Sequence, residues 1–176
     1  MSLENAVRLL ERNTGEIIRH ACEGLPEDVF LLVSALVPLV NVDLLIEDKQ
    51  KGVLLAWRDD PYCGRGWHFP GGCLRIRETL AERLQKTALV EVGTEVIYDP
   101  KPAAVTEFIA PEQRDGIEHQ NIRAHNVGIA YRCTLPEGFE IDNHGRFATT
   151  TGYLKWFREL PDDLLKIQDC YRAILK

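Results

Sequence analysis

Gly71-Gly72-Cys73-Leu74-Arg75-Ile76-Arg77-Glu78 opens the most informative stretch of the chain, which runs on to Glu91-Val92-Gly93. Paired glycines let the backbone approach another group closely, because neither carries a Cβ. Beyond Glu78 the apolar positions Leu80, Leu84, Ala88 and Val92 lie four apart, the spacing of a buried helical stripe. Gly93 supplies a left-handed helix end. The pattern predicts a glycine-rich turn followed by a helix over residues 78–92. Glu82 and Lys86 read as an exposed, favourably ordered pair on its far side.

Upstream, Val40 to Glu47 is rich in Val, Leu and Ile and reads as a buried strand. Asp48-Lys49-Gln50-Lys51-Gly52 is a hairpin-like turn, Gly52 to Trp57 returns as a second strand, and residues 59–66 read as a loop. Downstream, strand-like segments are expected at 94–98, 103–109, 126–134 and 153–158, with a polar loop before the third and another over 136–152. Val7, Leu10, Ile17 and Ile18 recur at helical spacing, Leu25-Pro26-Glu27-Asp28 looks like a second helix start, and a C-terminal helix is expected from about Asp162. Strands on both sides of one central helix predict an α/β (α+β) sandwich with a mixed sheet and extra N- and C-terminal helices. Residues 1–37 are read as a helical extension, and 38–176 as the domain it packs on.

The chain has 45% hydrophobic and 27% charged residues, an ordinary globular balance, and a formal net charge of -6 with no basic run. Nucleic acid is therefore not expected as a partner, since phosphate-tracking surfaces concentrate Lys and Arg. An anionic small molecule needs a metal or local arginines against that background. The five cysteines are odd in number and scattered, which fits a reducing, cytoplasmic setting rather than a disulfide framework. The most apolar stretch, Phe30 to Val42, falls short of the roughly 20 residues that cross a bilayer and is read as core.

In Gly72, Glu78, Glu91 and Gly93, with Lys86 where an Arg is usual, the central stretch resembles the Nudix box. The likeness covers roughly residues 38 to 160. It implies a Nudix-type α/β/α sandwich and hydrolysis assisted by a divalent cation, Mg²⁺ or Mn²⁺, which takes hard oxygen donors. The box departs from the usual one, because Thr87 and Val90 replace two of the three carboxylates of the last helical turns. Glu91 alone is too little to hold several metals.

One branch of that family, the GDP-mannose mannosyl hydrolases, lacks the same two carboxylates, and the resemblance to it extends beyond the box. Pro38-Leu39-Val40-Asn41-Val42-Asp43, Leu54-Leu55-Ala56-Trp57-Arg58 and Gly66-Trp67-His68-Phe69-Pro70-Gly71-Gly72 carry it. The resemblance implies a small-molecule nucleotide-sugar substrate, substitution at the anomeric carbon, and one metal held by Glu91 and the Gly71 carbonyl. Arg58 would neutralise the diphosphate leaving group, Asp43 would touch sugar or leaving group, and Gly72 would border the substrate. The branch also has a metal-binding Gln followed by a catalytic His. In register those positions are Thr150 and Thr151, so Asn143 and His144 in the same loop are taken as displaced equivalents. Asn143 would then join the metal and His144 would serve as general base, with His125 and His119 as rivals. A homodimer is plausible from the family.

Singly, these residues have ordinary readings: Gly71-Gly72 as a turn, Arg58 as a strand-end cation, His144 as a solvated loop residue, His68 as packing beside Trp67 and Phe69. Asp43 is less ordinary, since an unpaired carboxylate in an apolar strand is costly. Two other functions stay open: attack at phosphorus with Glu78 or Glu82 in place of the lost carboxylates, and a catalytically silent nucleotide-binding module.

Overall fold

The computed structural model describes residue 15 and residues 20–175; the helical pattern expected over residues 7–18 lies outside them apart from residue 15. The long strand β1 (Leu39–Asp48) organises the sheet. Its first eight residues run parallel to β7 (His125–Thr134), from Leu39 opposite Asn126 to Ile46 opposite Cys133. On its other edge Asn41, Val42 and Asp43 pair antiparallel with β4 (Gly71–Cys73). Its last two residues turn into β2 (Gly52–Asp60). β2 pairs with β3 (Gly64–His68) and β8 (Leu154–Phe157), while β7 also carries β5 (Ile97–Tyr98) and β6 (Ala104–Ile109). The result is the expected mixed sheet, with eight strands among the described residues.

Alternation along β1 and β2 sends side chains to two cores on opposite faces. Val42, Leu44, Ile46, Leu54 and Ala56 meet Leu84 and Ala88 of α2 (Leu80–Glu91) and its C-cap residue Val92 on one face. Leu45, Leu55 and Trp57 meet Trp67, Phe69, Leu164 and Tyr171 on the other. The helical stripe therefore lies where its spacing predicts. Thr79 begins α2 with a reciprocal cap: its hydroxyl accepts from the Glu82 N–H at 3.2 Å, and Glu82 accepts from the Thr79 N–H at 2.8 Å. Such a cap contributes about 1 kcal/mol.

Several expectations are corrected. Glu82 is committed to that cap, and Lys86 instead donates to Glu78 Oε1 at 3.0 Å, so the Glu82–Lys86 pair does not form. Two satisfied backbone and side-chain groups outweigh a solvent-exposed ion pair worth a few tenths of a kcal/mol. The 59–66 segment is mostly strand, because β2 and β3 stay paired out to Asp60 opposite Gly64. The Phe30–Val42 stretch is only partly core: α1 (Glu27–Leu36) leaves Leu32 and Leu36 exposed, with Val37 beyond it. The expected C-terminal helix is present as a 3₁₀ helix over Lys166–Ala173, starting later than Asp162. With three residues per turn, side chains three apart eclipse each other, which puts Gln168 and Tyr171 on one face.

Candidate active site

Beside β1 and β4 lies a cleft of about 380 Å³, a size that suits a nucleotide-scale ligand. Asp43 projects into it from β1, Arg58 from β2, and His68 from the end of β3. The two glycines of β4 form its wall because no side chain fits there. A Cβ on Gly71 would lie 2.2 Å from Asp43 Oδ1, and one on Gly72 would lie 2.6 Å from Thr87 Oγ1. Close approach thus decides these glycines; neither has a positive φ.

Asp43 is buried, and burial pushes its carboxyl up to about 6 against the opposing pull of Tyr171, Gln168 and Arg58. The Tyr171 hydroxyl donates to Oδ2 at 2.6 Å and Gln168 Nε2 to Oδ1 at 3.3 Å. Gln168 also accepts from the Phe69 N–H at 2.7 Å, so the C-terminal segment clamps both the acid and the chain leading into the glycines. Glu91 keeps some solvent contact, yet desolvation of its carboxyl raises it to about 7; Arg58 and the Gly71 N–H act in the opposite direction. His68 is buried and held near 3 by desolvation and by Arg58, so it is neutral. Its Nδ1 lies 2.8 Å from the Phe69 carbonyl, which can only accept, so that nitrogen carries the proton.

Arg58, Arg75, Arg83 and Arg123 all line the cleft, against the carboxylates of Asp43 and Glu27. The local excess of guanidinium groups reverses the sign of the chain's net charge and suits an anionic ligand. Arg83 is already committed, donating to Glu78 at 2.7 and 2.9 Å. Burial alone would raise Glu78, but the hydrogen bonds from Arg83, Lys86 and the Arg75 N–H outweigh it and hold the carboxyl at about 2.

The donor set suits a hard cation of Mg²⁺ type. Thr87 is 3% exposed and its hydroxyl has no hydrogen-bond partner among the described residues. It lies one helical turn before Glu91, against Gly72. A buried hydroxyl is costly without a partner, and a hydrated cation beside Glu91 would supply one. With Thr87 and Val90 in the last turn of α2, Glu91 is the one carboxylate that this turn offers a cation.

The structure thus brings Asp43, Arg58, Gly71, Gly72 and Glu91 to one place. It places Asn143 and His144 elsewhere: neither lines the cleft. The Asn143 amide pairs with both backbone groups of Leu154, at 2.7 and 3.0 Å. His144 is exposed, 3.0 Å from Asp142, and adopts a left-handed backbone with φ 49°. His119 stacks on Tyr62 at 6.0 Å, and His125 pairs with Glu107 at 3.2 Å. The sequence reading missed Gln168, Tyr171, Thr87 and Arg123. Only Thr87 carried a signal, as a hydroxyl at a box position where a carboxylate is usual.

The NUDIX domain family model matches residues 37–166. The low-salt glycan biosynthesis protein Agl8 of Haloferax volcanii is 31% identical over 113 residues, covering 64% of this chain and 69% of that one. Two solved structures of Nudix hydrolases from Nitrosomonas europaea superpose with TM-scores of 0.53 and 0.50, at 19% and 16% identity. They cover 78% and 69% of this chain, and 70% and 72% of their own. At those identities the structures establish likeness of fold.

Proposed function

The chain belongs to the NUDIX domain family, whose hydrolases act on small nucleotide substrates with divalent metals, and from that membership we propose that it hydrolyses a nucleoside-diphosphate sugar of the GDP-mannose kind at the anomeric carbon. The observation that carries this reading is the convergence of Asp43, Arg58, Gly71 and Gly72 on the cleft, with Glu91 accepting from the Gly71 N–H beside it, so that the last turn of α2 offers a cation one carboxylate. A one-carboxylate site suits a reaction in which the whole diphosphate departs as a unit. The name of the Haloferax relative, a glycan biosynthesis protein, points to the same substrate class.

In this reading water forms a bond to the anomeric carbon while the bond from that carbon to the diphosphate oxygen breaks. The products are free sugar and nucleoside diphosphate. Arg58 stabilises the negative charge that grows on the diphosphate, with a planar donor fork matched to phosphate oxygens. Glu91 and the Gly71 carbonyl would hold Mg²⁺ or Mn²⁺, and the unpartnered Thr87 hydroxyl lies one helical turn before Glu91. Asn143 would join them only after releasing Leu154. The metal, when bound, supplies positive charge to the leaving group.

Two groups compete for the proton from water. Asp43 lies in the cleft and titrates near neutrality, as a general base should. His144 would act from its loop by folding over the cleft mouth. Turnover of GDP-mannose with Mg²⁺, read by ³¹P NMR and a free-sugar assay, tests the proposal. GDP and mannose support it; GMP and mannose phosphate mean attack at phosphorus, and no turnover of any nucleotide sugar means a silent binding fold.

A further inference from the structure

Arg123 stands just before β7 in a conformation that argues for a role. Its φ is 53°, in the left-handed region that costs a non-glycine residue about 1–2 kcal/mol. Strain of this kind persists where the surroundings impose it, and it concentrates at ligand sites. Here the buried Asn126 imposes it: its amide donates to the Arg123 carbonyl at 2.8 Å and accepts from Asn41 of β1 at 3.1 Å. The backbone is thereby fixed so that the Arg123 side chain enters the cleft.

Once there, the guanidinium has company but no close partner. It lies 5.1 Å from the Phe30 ring and 5.9 Å from the Tyr62 ring, contacts that orient its plane. Its Nη1 is 3.7 Å from Cys63 Sγ and 3.9 Å from Asp60 Oδ2. Arg58 reaches the same two atoms, its Nη1 at 3.9 Å from the thiol and its Nε at 3.5 Å from the carboxylate. Two guanidinium groups therefore share one carboxylate at distances too long for paired hydrogen bonds. Arg83, with both its contacts to Glu78 under 3 Å, shows what a satisfied arginine in this protein looks like. The Nε of Arg123 is buried and has no hydrogen-bond partner among the described residues. Asp60 is held by the Tyr62 and Cys63 N–H groups at 2.9 and 2.7 Å and meets both guanidiniums only at long range, which leaves donors of Arg58 and Arg123 open to a phosphate ligand.

We infer that Arg58 and Arg123 form a two-guanidinium clamp for the phosphate oxygens of a nucleoside diphosphate, with Arg123 a substrate-binding residue. The inference rests on the nucleotide-sugar reading above and adds the second arm that holds the diphosphate.

The test is calorimetric titration of the full chain with GDP, inorganic pyrophosphate and guanosine, comparing wild type with R123K and R123G. The glycine variant suits the left-handed backbone, so it keeps the protein folded, which thermal unfolding verifies. Loss of a charged hydrogen-bond donor should weaken GDP and pyrophosphate binding roughly tenfold or more in R123G. R123K should recover part of the loss through charge without the fork, and guanosine binding should move in neither variant. GDP affinity within twofold of wild type in both variants, in a protein that still hydrolyses a nucleotide sugar, overturns the clamp alone. A wild-type protein that binds neither GDP nor pyrophosphate overturns the nucleotide reading and the clamp with it. Equal losses for guanosine and GDP would also overturn the clamp, because they would reveal a general packing role.

Discussion

The hydroxyl of Tyr171 donates to Oδ2 of Asp43 at 2.6 Å, joining the last turn of the chain to the central strand across 128 residues of sequence. The bond holds the acid in one orientation and stabilises its ionised form against burial. Both effects fail together in Y171F. That variant should lose about 1–3 kcal/mol of stability, the cost of stranding a buried acceptor. With the hydrogen bond gone, the Asp43 carboxyl should rise further, so the acid limb of the activity profile should move to higher pH. Thermal unfolding and a pH–rate profile measure the two effects separately.

Asp43 and Glu91 make the metal-free protein sensitive to pH in a defined direction. Their folded-state values, about 6 and about 7, lie above the ordinary 3.8 and 4.5. A carboxyl raised on folding stabilises the folded state below its ordinary value, and that contribution is lost as pH rises through the folded value. The metal-free protein should therefore lose stability between about pH 4 and about pH 7, with the steepest part midway between the ordinary and the folded values. On the proposed assignment Mg²⁺ would bind the ionised form of Glu91, and adding it should restore stability at the upper end of that range. E91Q should flatten the metal-free curve and abolish the Mg²⁺ effect in thermal unfolding.

The glycine wall makes a steric prediction. G72A directs a methyl at Thr87 Oγ1, 2.6 Å from the ideal Cβ, with Arg83 Cδ at 3.3 Å. Crowding of this kind costs about 1–3 kcal/mol. Pairing G72A with T87A should recover stability, since the second substitution removes the obstructing hydroxyl. Activity should not return with it if Thr87 serves the cation. Denaturant unfolding and turnover, measured on the same preparations, separate the two.

The proton acceptor is decided by comparing D43N with H144A. Removing the true base should slow turnover by a factor on the order of 10²–10⁴, with the acid limb of the pH profile abolished. Removing the other should leave that limb in place. A profile that keeps its acid limb in both variants would assign the base to neither residue.

Much of this was legible in the sequence wherever a local period or a fixed spacing carries the information. The stripe Leu80, Leu84, Ala88 and Val92 announced its helix, and the run from Val40 to Glu47 all but the end residues of its strand. The Gly71-Gly72 pair marked the cleft wall, although its reason, contact with Asp43 and Thr87, needed the third dimension. Local signals also misled where two were superimposed. Thr79 and Glu82 spelled a capping box, yet Glu82 also stood four residues before Lys86, and the spacing alone favoured the weaker pairing. The C-terminal contribution left no trace, because the reach of Gln168 and Tyr171 to Asp43 depends on a 3₁₀ geometry and on contacts between residues far apart in sequence. Arg123 was hidden for a similar reason: its backbone conformation is imposed by Asn126 and Asn41, which a linear reading has no means to associate.

The central claim is that the bond broken joins the sugar carbon to the diphosphate. Hydrolysis of GDP-mannose in ¹⁸O-labelled water, with products separated and weighed by mass spectrometry, addresses it most directly. The account predicts one ¹⁸O in the released mannose and none in the GDP. Label in a phosphate product, with GMP and mannose phosphate released, would contradict it and place the attack at phosphorus.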